Sequence, residues 1–477
     1  MSWDTIITAE PKEHDVVLPI QGSMPSELLG GNYYLNGPSL LGKYDIRLHP
    51  FDGHGLLRKI SFNSNGAAFK SRYVQTESYL YEQKAGKVRY RGIGGLPYNS
   101  PLKNWWSKEV KNPANTCVLP WQGKILCSYE GGWPYRLDPS TLETRGLESF
   151  SNTLVKKVNF LAHTRYDARK KELFGVSFKP GKHSTFHIHG YAEDGSSVLQ
   201  HNFTQFGMTL IHDFLLTDHF VIIIENPIIP EIPILIKAMA GLDSVMNAVK
   251  QQDRPARVML FPRTGGDPKV IEMDKSYVGF HHASAAEILD EDGKPVRLIL
   301  HSCLFDQYID FGHEFGYTGN STPYADHFSK DQPPQKLSKI EVDLNSNTCS
   351  VEAITDWPLD FPKIHPLGDG RGCTHIYGTT SSPKGTFNPF DTLCQVNTKT
   401  GQTRTWISDC GYLGEAYFVP SGDTEEFGFL LCMAYRPDGT DLLVLESQDF
   451  ERGPIARIPL PEAFPYGFHG FFEAGNS

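Results

Sequence analysis

Short β-prone runs, each bounded by a turn signal, recur along the whole chain. Lys124-Ile-Leu-Cys-Ser-Tyr129, Leu173-Phe-Gly-Val-Ser-Phe178, Val296-Arg-Leu-Ile-Leu300 and Phe427-Gly-Phe-Leu-Leu-Cys-Met433 are examples. The dipeptides Asn65-Gly66, Asp194-Gly195, Asp292-Gly293, Thr400-Gly401 and Asp438-Gly439 lie between such runs and supply the backbone that tight hairpins require. Amphipathic helical patterns of useful length are few. The pattern predicts an all-β chain, with propeller and sandwich as the candidate architectures. No WD- or kelch-like repeat chooses between them. No break in composition divides the 477 residues, so a single domain over 1–477 is expected.

Two stretches interrupt the β pattern. Residues 96–116 carry a Leu-Pro step, Trp105-Trp106 and a cluster of Lys, Asn and Pro, and read as a long loop. Residues 226–250 begin Asn226-Pro-Ile-Ile-Pro-Glu-Ile-Pro and turn helix-prone afterwards. This apolar insertion is either a covered core helix or a greasy collar at a ligand entrance, able to touch a membrane or a lipophilic substrate.

Composition narrows the function. A formal charge of −10 without long runs of one sign argues against nucleic acid. The eight cysteines form no C-x-x-C pair and no zinc-like spacing. The N-terminus lacks a basic region followed by an apolar run, so free thiols in a reducing, cytoplasmic setting are expected. No window approaches the ~20 apolar residues that span a bilayer.

The candidate chemistry lies in four histidines with apolar or small neighbours. They occur in Phe160-Leu161-Ala162-His163, Leu210-Ile211-His212-Asp213-Phe214, Val278-Gly279-Phe280-His281-His282 and Gly467-Phe468-His469-Gly470. Four neutral imidazoles suit a divalent Fe, Cu, Ni or Zn ion. Ligating imidazoles also want an acceptor on the other ring nitrogen, usually a carboxylate. Glu130, Asp360 and Glu415 sit in apolar or glycine-rich contexts where an unpaired charge is costly, which makes them candidates.

Taken in order, the motifs resemble the carotenoid cleavage oxygenase family. They run from Tyr34-Leu-Asn-Gly-Pro38 and Phe51-Asp-Gly-His-Gly55 through Asn115-Thr116, Glu130-Gly131-Gly132-Trp-Pro-Tyr135 and Ala162-His163. They continue through His212-Asp213-Phe214, Phe280-His281-His282, Asp360-Phe-Pro362 and Gly414-Glu415 to Gly467-Phe468-His469-Gly470. The resemblance implies a seven-bladed β-propeller under a helical and loop dome, with Fe(2+) on the axis. It maps the metal ligands to His163, His212, His281 and His469, with His282 as the rival at the third position. It maps the carboxylates behind the ligands to Glu130, Asp360 and Glu415, and it places the Thr116 methyl against one coordination position, leaving another for dioxygen.

Three departures stand out. Asp360 replaces the usual Glu, so a backbone shift, a bridging water or a weakened bond is expected there. His54 stands in place of the second Asp of F-D-G-D-G, and Ser284 in place of a common Asn. Tyr129 occupies the position where stilbene-cleaving members carry a phenol-binding Lys. The implied function is a non-haem Fe(II) dioxygenase that splits a C=C bond of a lipophilic conjugated substrate, apocarotenoid- or terpenoid-like, into two carbonyls. Alternatives on the same scaffold are isomerase or lyase chemistry, cleavage of a stilbene or phenylpropene, and non-catalytic lipophile binding.

Overall fold

Seven antiparallel sheets form the blades of a β-propeller. The computed structural model describes residues 2–98, 100–154, 158–207, 209–306, 315–326, 334–382 and 389–475. All five turn dipeptides fall where the pattern puts them. Asn65-Gly66, for instance, joins His54–Asn63 to Gly66–Tyr73, and Asp194-Gly195 joins His183–Ala192 to Ser197–Phe206.

One edge strand of each blade lies at the axis. In chain order the second to seventh blades place there Cys117–Trp121, Asn159–Phe160, Leu215–Leu216, Val278–Leu289, Asp360–Lys363 and Tyr412–Pro420. The first blade is completed by the far end of the chain. Gly470–Glu473 pairs antiparallel with Asn32–Leu35, in the register Leu35 opposite Gly470. At the outer edge of the seventh blade, Gln21–Gly22 pairs with Ala456–Pro459. Both chain ends therefore close the ring, one near the axis and one at the rim.

The core lies between the faces of neighbouring blades. Ile222, Ile224, Val258 and Leu260 of the fourth blade, for example, pack with Ala285, Leu298, Leu300 and Ile340 of the fifth. Both faces of such strands are covered, which explains why the run from Phe220 to Ile224 is apolar throughout instead of alternating.

The two interruptions build part of the dome. Residues 96–116 are not one continuous loop: they contain the helix Pro101–Trp105 and the strand Lys108–Val110, which pairs parallel with Tyr90–Arg91. Pro101 sits in the first turn, where its missing N–H costs nothing. In the insertion, Ile228–Pro230 and Val249–Gln251 form a two-stranded ribbon enclosing the helices Ile232–Met239 and Val245–Ala248. The two regions meet where Gly241 abuts Asn104, so closely that a Cβ there would stand 2.8 Å from the Asn104 backbone.

His54 has a structural role. Its Nε2 lies 2.7 Å from Glu82 Oε2, and Lys111 Nζ lies 3.6 Å from the same oxygen. Burial, reinforced by Lys111, holds the His54 imidazole down at about 4, so the ring is neutral at pH 7. Glu82 Oε1 accepts the backbone N–H groups of Arg89 and Tyr90, and Asp52 accepts those of Ile93, Gly94 and Gly95. This buried cluster pins segment 89–95 beneath the dome. Ser284 bonds His301 Nδ1 and Cys373 Sγ.

Candidate metal centre

The seven blades each bring one or two of the expected residues to the axis. His469 precedes the closing strand of the first blade, and Thr116 and Glu130 flank strands of the second. His163, His212 and His281 come from the third, fourth and fifth, and Asp360 and Glu415 lie on the axial strands of the sixth and seventh. Among the described residues, one group of side chains is arranged to hold a metal ion: His163, His212, His281 and His469, whose ligand atoms all lie within 4.8 Å of one another. His282 points elsewhere, its Nδ1 bonded to Ser302 Oγ at 2.6 Å.

Three of the four rings are backed by carboxylates. His212 Nδ1 is 2.7 Å from Glu130 Oε1, His281 Nδ1 is 2.7 Å from Asp360 Oδ1, and His469 Nδ1 is 2.9 Å from Glu415 Oε1. Glu415 also accepts from Gly470 N at 2.8 Å and pairs with Lys363 Nζ at 2.8 Å. Asp360 reaches its imidazole directly despite its shorter side chain. The strand is irregular here, its register slipping between Asp360 and Lys363 with Phe361 at a φ of 52°, as the axial strand around Glu415 slips between Leu413 and Ala416. The weakened bond expected for this Asp is not seen: its contact is as short as that of Glu130 with His212. His163 differs from the others: its Nδ1 faces Cys117 Sγ at 3.8 Å.

Electrostatics follow from burial and pairing. Burial alone would raise the Glu415 carboxyl, but Lys363 and His469 outweigh it and hold it down at about 2. Glu130 and Asp360 are likewise lowered against the effect of burial, by His212 and His281 respectively. Burial pushes His163 well below the usual imidazole range, and the three neighbouring rings push it the same way. For His212 burial pulls downward, but the Glu130 charge prevails and the net shift is upward.

These residues fit a metal ion. A carboxylate behind the ring selects the Nδ1–H tautomer, which turns the Nε2 lone pair inward. The Nε2 atoms of His163 and His212 stand 3.1 Å apart, and those of His212 and His281 3.3 Å. Lone pairs facing at that distance repel unless a cation lies between them. With metal–nitrogen bonds of about 2.1 Å, two imidazoles at right angles on one ion stand about 3.0 Å apart.

The rings of His212, His281 and His469 open onto a cavity of about 280 Å³ whose wall is largely apolar, including Phe51, Phe178, Phe280, Phe305, Phe361 and Phe468. Thr116 and Tyr129 also line it, as do Val245, Met246 and Val249 from the insertion. Glu130 and Asp360 turn what surface they expose toward it. The Thr116 hydroxyl donates to Asn115 Oδ1 at 3.1 Å, and Asn115 is held by the carbonyls of Phe51 and Gly53. Trp105 and Trp106 do not line the cavity; they are 62% and 78% exposed.

The retinal pigment epithelial membrane protein (RPE65) family model matches residues 7–474. The chain belongs to this family. Among its relatives is the apocarotenoid-15,15'-oxygenase of Synechocystis sp., 32% identical over 98% of this chain and 95% of the relative. Carotenoid cleavage dioxygenase 7 of Oryza sativa is 28% identical over 95% of this chain and 87% of its own length. Resveratrol cleavage oxygenase 1 of Aspergillus fumigatus is 25% identical over 96% and 92%. A solved structure of a Synechocystis apocarotenoid oxygenase mutant superposes with a TM-score of 0.90 at 29% identity, covering 99% of this chain and 98% of that one. The protein is therefore an enzyme of the carotenoid-oxygenase type, built as a seven-bladed propeller.

Sequence reasoning missed some residues of the site. Lys363, paired with Glu415, and Arg165, bonded to Asp213 beside His212, are single basic residues on strands, with no spacing that marks them. Asp213 follows His212 directly, and that adjacency was the available signal.

Proposed function

We propose that His163, His212, His281 and His469 hold one Fe(II) ion, and that the enzyme cleaves a C=C bond of a lipophilic conjugated substrate into two carbonyl products. The observation that carries this reading is the convergence of four imidazoles, three of which line an apolar cavity. An apocarotenoid- or terpenoid-like substrate is favoured, in line with the apocarotenoid oxygenase among the relatives. An iron(II) ion bound there supplies dioxygen activation. Four neutral ligands leave its positive charge uncompensated, and the carboxylates behind three of them supply the balancing charge at one remove.

The chain's own residues do the selecting. The apolar wall takes up the conjugated chain and keeps water out, so one double bond is oriented against the reacting oxygen. The Thr116 hydroxyl is engaged by Asn115, which leaves its methyl to occupy space beside the metal. No free acid or base is required: Glu130 and Asp360, the carboxylates in the wall, are already paired with imidazoles. Tyr129 offers no cation to a phenolate, which weighs against a stilbene.

The dome adds a route for such a substrate. Ile232, Ile236 and Met239 follow helical i, i+4, i+7 spacing and are 57%, 60% and 72% exposed. Leu242, Leu102, Trp105 and Trp106 are exposed as well, on segments that meet at Gly241 and Asn104 next to the part of the insertion that lines the cavity, and we take them together as one apolar face. We assign this face to peripheral contact with a membrane from which substrate is taken. None of the described helices is long and apolar enough to cross a membrane.

The deciding experiment incubates the iron-loaded protein with apocarotenals, stilbenes and phenylpropenes under labelled dioxygen. The expected result is cleavage of an apocarotenal with label in both carbonyl products. An isomerised product, or carbonyls without label, overturns the dioxygenase reading.

A further inference from the structure

Close to the rings, Arg165 ties together the segments that carry three of them. It lies two residues after His163, on the strand Arg165–Asp167 of the third blade. Its Nε donates to the Phe214 carbonyl at 2.8 Å, and its Nη2 to Asp213 Oδ2 at 2.5 Å and to the His282 carbonyl at 2.8 Å. Asp213 in turn accepts from His282 N at 3.0 Å and from Phe214 N at 2.8 Å. Each partner adjoins a ring of the cluster: Asp213 and Phe214 follow His212, and His282 follows His281. Arg165 Nη1 also faces Asp369 Oδ2 at 3.8 Å, on the segment following the axial strand of the sixth blade.

We propose that the Arg165–Asp213 bridge is a positioning device for the metal ligands, and that it is what sets the place of His163. His163 is the one ring of the four whose Nδ1 meets a thiol instead of a carboxylate. Its orientation depends on the backbone around it, held on one side by Ser128 Oγ donating to the Ala162 carbonyl at 2.7 Å and on the other by Arg165. A guanidinium suits the task because its planar fork serves several fixed acceptors at once. A lysine in its place keeps the charge and cannot span the Phe214 carbonyl, the His282 carbonyl and Asp213 together.

This inference rests on the proposed metal site, and the test separates the two. Arg263 is the control. It is a buried arginine that also bridges the third and fourth blades, bonding Asp167, Glu172 and the Thr217 carbonyl, but it touches none of the four rings or the residues next to them. Co(II) is titrated into metal-free wild type, Arg165→Lys, Asp213→Asn and Arg263→Lys, recording the visible bands of the bound ion, with thermal melts of each metal-free protein. Arg165→Lys is expected to bind Co(II) about 10–100-fold more weakly, the usual effect of losing support behind a ligand, and with an altered band pattern. Arg263→Lys is expected to lower the melting temperature while keeping wild-type affinity and spectrum. Wild-type affinity and spectrum in Arg165→Lys overturn the proposal, as does an equal loss in Arg263→Lys. Should Arg165→Lys fail to fold, Asp213→Asn breaks the same bridge from the other side, and unchanged affinity there is equally fatal. If wild type itself binds no Co(II), the metal site fails and not the bridge alone.

Discussion

The Asp360 carboxylate stands 2.7 Å from His281 Nδ1 although its side chain is one methylene shorter than the usual Glu. The substitution was legible in the sequence; the direct contact was not, because the path of the strand, with its register slip and the positive φ at Phe361, leaves no mark in residue type. A carboxylate already at hydrogen-bonding distance has little room to grow longer on the same backbone. Asp360→Ala is expected to weaken Fe(II) binding by about 10–100-fold. Asp360→Glu, although it restores the usual family residue, is expected to weaken binding as well, because the added methylene drives the carboxylate against the ring. Calorimetric titration of the metal-free proteins measures both. Tighter binding by Asp360→Glu would show that the backbone has not adapted to the Asp.

Among the elements, the strands were readable and the blades were not. Each turn dipeptide sits between two β-prone runs because a tight hairpin leaves few other backbone choices. Grouping the strands into seven blades needs a period, and the blades have none: their axial strands range from the two residues of Asn159–Phe160 to the twelve of Val278–Leu289. The four histidines were findable because each lies in an unusual apolar setting, yet their convergence is a long-range fact that only the order of family motifs conveyed. The helix Ile232–Met239 and the Trp105-Trp106 pair, by contrast, declared their apolar character locally, and their exposure counts against the covered core helix. The proposed contact rests on the apolar side chains of this face, so neutral lipid is the probe that tests it. Flotation with neutral phosphatidylcholine vesicles should recover the wild type with the lipid, and the double variant Trp106→Glu, Ile236→Glu should stay behind. Turnover of detergent-dispersed substrate should be unchanged in that variant, since neither residue lines the cavity. Equal flotation of both proteins would rule out this face as the contact.

For the whole molecule, ring closure and assembly of the metal site are one event. The last strand, Gly470–Glu473, fills the axial edge of the first blade, and the residue just before it is His469. His469 N donates to the Thr116 carbonyl, and the His469 carbonyl accepts from Asn36 N, so its backbone is held by the second blade on one side and by its own first blade on the other. Glu415, from the seventh blade, bonds both the His469 ring and the Gly470 backbone, which locks the last blade to the first. A terminus is ordinarily where truncation is tolerated, but here the final strand fixes a ligand. Removing residues 471–477 keeps His469 in the chain and deletes most of its supporting strand. That protein should melt lower and bind Fe(II) more weakly by at least the 10–100-fold expected for a lost carboxylate. Removing only 474–477 spares the strand and should leave both properties unchanged. If the longer truncation held iron as tightly as the full chain, His469 would owe its position to Glu415, Thr116 and Asn36 without the strand, and closure of the ring would be separable from the chemistry at its axis.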